Sequence, residues 1–264
     1  MKHIRTIINK EWAEVFKNRT VMYTTMLLPL IFAILPLIML KSTAGTFPEM
    51  GDAASTGLPE GFLKTCQGLS GSDCLQVYLV SEFMFLFLLM PVIIPVNIAA
   101  YSVVGEKTTR SLEPLLATPI STVELLAGKC LAAVLPAIAA TYLSIGIFNL
   151  GLRVLKVSEG VIGYVNSPIW LLALFVLGPL LALISALFAL FISSRVTDPR
   201  VAEQISSVVI VPVMGLMLAQ MAGFVTLNLL MMVVSIVLVA ALAFAMLHLG
   251  NAVFERENIL TRWK

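Results

Sequence analysis

Apolar residues along this chain gather into six long runs separated by polar stretches of very different length. The runs cover residues 21–40, 77–104, 130–152, 168–192, 205–221 and 225–249. A helix needs roughly 20 apolar residues to cross a bilayer, so the pattern predicts an all-α integral membrane protein with six transmembrane helices. The second run is the longest, about 42 Å as a helix at 1.5 Å per residue. It has to tilt, kink or protrude, and Pro91 and Pro95 favour a kink because each removes a backbone hydrogen bond.

The most informative polar stretch is residues 105–129, GEKTTRSLEPLLATPISTVELLAGK. Glu106, Lys107 and Arg110 mark where the chain leaves the hydrocarbon. Ser111 can cap a short helix with Pro114 in its first turn. Leu112, Leu115 and Leu116 then share one face at helical spacing. The Thr118-Pro119 pair ends that helix, because a residue before proline is pushed out of the α region. Ser121-x-x-Glu124 is a capping box that starts a second helix, running through Lys129 into the third apolar run. On these signals alone the stretch is either an ordinary loop with two capped helix ends or a docking element.

The wording of the stretch closely resembles the intracellular loop of ABC type-2 exporter permeases. The matching residues are Glu106, Lys107, Arg110, Ser111, Leu112, Glu113, Leu115, Leu116, Thr118, Pro119, Ile120, Ser121, Glu124, Leu125, Leu126, Gly128 and Lys129; Pro114 departs from the pattern. The resemblance implies a cytoplasmic coupling helix that docks in a groove of a separate ATPase subunit. Leu112, Leu115, Leu116 and Ile120 would then make the apolar contact, with Arg110, Glu113 and Glu124 orienting it or capping its helices. It also implies two permease chains, as a homo- or heterodimer, and two copies of the ATPase. ATP and Mg belong to that partner, and this chain carries no cofactor of its own.

Residues 1–19 do not read as a secretory signal, because Glu11, Glu14 and Lys17 interrupt them. Ile4, Ile7, Ile8, Trp12, Val15 and Phe16 share a helical face, with Arg5, Lys10 and Glu14 largely elsewhere. That pattern fits a helix in the membrane interface with Trp12 at headgroup depth, the elbow helix that the resemblance implies. Residues 41–76 form a polar loop holding Cys66 and Cys74, a disulfide candidate if the loop is extracytoplasmic. A short loop with Arg153, Lys156 and Glu159 follows the third run, and Ser167 with Pro168 can begin the fourth. Residues 193–204 repeat the capped-helix logic in small: Asp198 or Thr197 as cap, then Pro199, with Glu203 near the helix N-terminus. Residues 222–224 alone join the last two runs, and residues 251–264 are a charged tail.

Basic residues orient the whole. With both termini inside, 13 of the 17 Lys and Arg residues are cytoplasmic, leaving Lys41, Lys64, Arg153 and Lys156 outside. The positive-inside rule thus predicts a multi-pass protein of the cell membrane with both ends in the cytoplasm. Composition agrees: 59% hydrophobic, 12% charged and mean hydropathy +0.99, where a soluble domain carries roughly a quarter charged residues. A net charge of +2 points to no nucleic-acid partner.

Chemistry of its own is not evident in the chain. No phosphate-binding G-x-x-x-x-G-K-[ST] loop occurs, nor H-E-x-x-H, and no Asp lies within an apolar run. Glu82, Asn97 and Gln220 are the candidates for a substrate pathway. Glu82 is either a pathway carboxylate or a headgroup-level glutamate, and its place near the end of its run favours the second. For Asn97, Asn149, Gln220 and Asn228 the default is interhelical hydrogen bonding. The resulting reading is the permease of an ATP-driven exporter of a hydrophobic or amphiphilic substrate. An ion-coupled secondary transporter or channel, centred on Glu82, and a non-transporting assembly factor are the alternatives.

Overall fold

A chain in lipid can satisfy its backbone polar groups only within helices or closed barrels, and this chain uses helices. The computed structural model of the protein describes residues 2–17, 19–44, 71–108, 121–225 and 227–253, and among them every regular element is helical. In chain order these are α1 (Lys2–Lys17), α2 (Arg19–Ala44), α3 (Gly71–Thr108), α4 (Thr122–Val154), α5 (Glu159–Val165), α6 (Pro168–Leu172), a π-helical turn (Ala173–Leu177), α7 (Gly178–Arg195), α8 (Pro199–Ser206), a 3₁₀ turn (Ser207–Val209), α9 (Ile210–Met221) and α10 (Leu229–Val253). Six stretches are long and apolar enough to span a membrane: Thr25–Ser42, Asp73–Glu106, Val123–Val154, Glu159–Arg195, Pro199–Met221 and Leu229–His248.

Local chemistry sets most element ends. Ser121 caps α4 as expected: its hydroxyl accepts from the Glu124 N–H at 3.2 Å, and the Glu124 carboxylate accepts from the Ser121 N–H at 3.2 Å. Asp198, rather than Thr197, caps α8, accepting from the Arg200 N–H at 2.8 Å with Pro199 in the first turn. Ser167 stands before Pro168, but its hydroxyl makes no capping bond. The π turn precedes Pro179, whose ring lacks an N–H and crowds the carbonyl four residues back; the Gly178 N–H reaches five residues back to Ala173 instead. α3, at 38 residues, runs unbroken through Pro91 and Pro95.

Two connections differ from expectation. The loop after the third span contains α5, and Asn166 at its end donates to Asn149 of α4 at 3.1 Å. The last span begins four residues later than its apolar run, because Asn228 caps it, accepting from the Met231 N–H at 2.8 Å. Asn149 therefore bonds between helices as expected, whereas Asn228 serves its own helix.

α3 is the central pillar. In its spanning window 78% of residues are buried, against 11% in that of α10. Its most extensive contact is with α7, where Ala182, Ser185, Ala186 and Ala189 are fully buried. Small side chains let two helix backbones approach closely, which is how helices associate without a hydrophobic driving force between them. Ser193 joins the same seam, donating to Ala100 O at 2.8 Å and accepting from the Val104 N–H at 3.1 Å. Phe87 packs on Phe148 of α4 with ring centroids 5.3 Å apart, and Phe85 meets Trp170 edge-on at 5.7 Å.

Candidate functional site

Charged residues at one end of the bundle converge where α1, α3 and α4 meet. Ser102 and Glu106 stand one turn apart on α3, Lys10 and Glu11 come from α1, and Lys129 comes from α4. The Lys129 ammonium donates to Glu11 Oε1 at 2.6 Å and to Ser102 Oγ at 2.9 Å, and pairs with Glu106 Oε2 at 2.9 Å. The Ser102 hydroxyl donates to Glu11 Oε2 at 2.8 Å, and Lys10 donates to Glu106 Oε1. Glu11, Glu106 and Lys129 are each 2% exposed. Charges this deep persist only when paired and hydrogen-bonded, and here two ammonium groups match two carboxylates. Burial works against the Lys10 ammonium, but its hydrogen bond to Glu106 and the charges of Glu106, Glu11 and Glu14 outweigh it. Lys10 therefore holds its proton above the ordinary lysine range.

α1 is seated on α4 by more than charge. Ile7 fills the space over Gly128, where a Cβ would come within 2.8 Å of its Cγ2, and the Trp12 indole donates to Ala132 O at 2.9 Å. Trp12, expected at headgroup depth, thus gives its N–H to the protein. The seam between α1 and α3 is looser: a cleft of about 150 Å³ lies there, lined in part by Glu14, Val15, Ile98 and Tyr101. α1 is accordingly fixed to α4 first and to α3 chiefly through the ions.

This cluster sits at the two ends of the polar segment 105–129. Glu106 is at its start, Lys129 at its end, and their contact closes the base of the segment. Of the expected docking residues, Glu124 is described and closes the capping box. Arg110, Leu112, Glu113, Leu115, Leu116 and Ile120 lie outside the described residues. Sequence reasoning placed Glu106 and Lys129 in a motif without seeing their partners. Glu11 was missed, although it stands four residues after Ile7 and four before Val15, within the apolar face of α1. An acid on such a face is the signal that it has a buried partner.

A second polar cluster occupies the opposite end of α3. Gln220 of α9 donates through Nε2 to Ser81 Oγ at 3.1 Å, and Ser81 donates to Tyr78 O at 2.7 Å. Glu82 is 8% exposed and Gln220 5%, so Glu82 is enclosed by protein rather than presented to headgroups. The Gln220 amide lies beside the Glu82 carboxyl, outside hydrogen-bond geometry for the carboxylate oxygens. Of the three pathway candidates the fold brings Glu82 and Gln220 together. Asn97 is only partly buried and some 22 Å further along α3 at 1.5 Å per residue. Cys74, near the start of α3, is disulfide-bonded, Cys130 is a buried free thiol, and Cys66 lies outside the described residues.

Comparison with known proteins adds one match. A family model described as ABC-2 family transporter protein matches residues 75–228, more than half of the chain, from the first turns of α3 to the cap of α10. No curated protein matches the chain.

Proposed function

This chain belongs to the ABC-2 transporter family as a membrane permease subunit, and from that premise we propose that it works as an exporter driven by ATP hydrolysis on a separate subunit. Two permease chains pair with two ATPases, which bind ATP and Mg. Segment 105–129 and both termini face the cytoplasm of a cell membrane, in keeping with the 13 of 17 basic residues counted on that side. Leu112, Leu115, Leu116 and Ile120 dock on the ATPase, and Arg110, Glu113 and Glu124 orient them or cap their helices. The cargo is hydrophobic or amphiphilic, consistent with spans poor in charge.

The observation that carries this reading is the contact of Glu106 with Lys129 at 2.9 Å. A docking loop transmits force only if its ends are rigid relative to the spans they continue. Here the ends are joined to each other and, through Glu11 and Lys10, to α1. ATPase closure acting on the segment therefore moves the second and third spans together with α1. Alternating access then needs two packings of the span dimer whose balance the ATPase shifts.

The test is a pull-down from detergent with the candidate ATPase. Wild-type permease is expected to retain it, and Leu115→Asp/Leu116→Asp to lose it while keeping the wild-type gel-filtration profile. Equal capture by the folded variant, or none by the wild type, overturns the assignment.

A further inference from the structure

The cluster at the far end of α3 is short of one hydrogen-bond donor. The Ser81 proton is committed to Tyr78 O at 2.7 Å, so Ser81 Oγ accepts from Gln220 Nε2 at 3.1 Å. That bond orients the Gln220 amide and leaves its Oε1 as an acceptor. An ionised Glu82 offers acceptors only. The result is three buried oxygens, Glu82 Oε1, Glu82 Oε2 and Gln220 Oε1, with no hydrogen-bond partner among the described residues. No charged side chain of the described residues faces Glu82. Its titratable neighbours are the phenols of Tyr78 on its own helix and Tyr164 on α5, α9 contributes the neutral Gln220, and no other span places a charge on it. An uncompensated carboxylate costs several kcal/mol in such surroundings. A single proton removes the charge and turns one acceptor into the missing donor.

We propose that Glu82 is a proton-binding site: with the spans packed as here it is a neutral carboxylic acid whose O–H is given to the Gln220 amide oxygen, latching the second span to the fifth. When the two spans part and water enters, the O–H bond breaks heterolytically. The electron pair stays on the carboxylate and the proton passes to water; repacking reverses the step. No redox partner is involved. The latch favours the packed state fully in acid, below the ordinary carboxyl range, and weakens as pH rises from there through neutrality, because the hydrated carboxyl of the parted spans ionises first. Its use in transport rests on the permease reading above, but the protonation itself belongs to this chain alone. It is therefore tested without an ATPase, so its failure and that of the docking assignment are separate results.

The experiment is infrared spectroscopy of the purified permease in lipid at about pH 6, where exposed carboxyl groups are already ionised. Wild type is expected to show a C=O band of a protonated carboxyl that shifts in D₂O and is absent from Glu82→Gln. Gln220→Leu should keep the band but move its frequency, since the acceptor is gone. No band in wild type, or a band persisting in Glu82→Gln, overturns the site; an unmoved frequency in Gln220→Leu overturns the latch. Thermal stability provides a second readout. It should fall in wild type as pH rises from the ordinary glutamate range, about 4.3, through neutrality, and less so in Glu82→Gln, whose amide keeps a donor at every pH. Wild-type stability that instead follows added sodium, potassium or ammonium at fixed pH assigns the carboxylate to a bound cation and overturns the proposal.

Discussion

Glu106 Oε2 and Lys129 Nζ meet at 2.9 Å across the two ends of the polar segment that joins the second and third spans. The same ammonium reaches Glu11 on α1 at 2.6 Å, so one lysine neutralises carboxylates from two other helices. Three chain segments are held by a single buried cation, and its removal has a defined consequence.

Lys129→Met leaves Glu11 and Glu106 buried with only Lys10 nearby to balance them. Breaking one partner of a buried ion pair costs about 3–5 kcal/mol, whereas replacing the whole set by neutral groups is close to neutral. The single variant should unfold at markedly lower temperature or denaturant in detergent, and Glu11→Gln/Glu106→Gln/Lys129→Met should recover most of the loss. A wild-type melting curve for Lys129→Met would show that the cluster does not hold the helices.

Lys10 supplies the pH dependence. Its proton is held more tightly in the fold than the ordinary lysine value of 10.5. A raised value means that its contribution is fully present below that pH and is lost as pH climbs through the folded value. Because Lys10 is about one-third exposed, the effect is at most about 1 kcal/mol. The gap in stability between wild type and Lys10→Met should be constant from neutrality to 10.5 and shrink above it; a gap that widens there contradicts the pairing with Glu106.

Two glycines distinguish rigid from yielding contacts. A Cβ at Gly151 would lie 2.2 Å from Leu37 Cδ1, nominally the worse clash, while one at Gly128 would lie 2.8 Å from Ile7 Cγ2 and 2.9 Å from Ile7 Cβ. The Leu37 tip can rotate aside on a half-exposed helix face. The Ile7 Cβ is bonded to the backbone, so α1 itself has to shift. Gly128→Ala is expected to cost about 1–3 kcal/mol and to exceed Gly151→Ala, as read from melting temperatures in one detergent. The reverse order would mean that α1 is not seated rigidly on α4.

The features that residue order specifies directly are local ones. The six runs became six spans, Ser121 and Glu124 made their capping box, and Asp198 with Pro199 opened α8. Each depends on residues within a few positions of one another. The departure at Asn228 is local too: in place of the interhelical hydrogen bond expected of it, its side chain caps α10.

That this chain is a bundle of apolar helices, and where a polar segment interrupts it, follows from residue order alone, because backbone satisfaction and capping are settled within each helix. Which charges become partners depends on how the helices pack. Glu11 and Lys129 are 118 residues apart, and Ser81 and Gln220 are 139 apart. Hydrophobic periodicity reports which face of a helix turns inward, but it carries no information about which inward-facing polar group another helix will bring. That pairing follows from how α1, α4 and α9 are packed against α3.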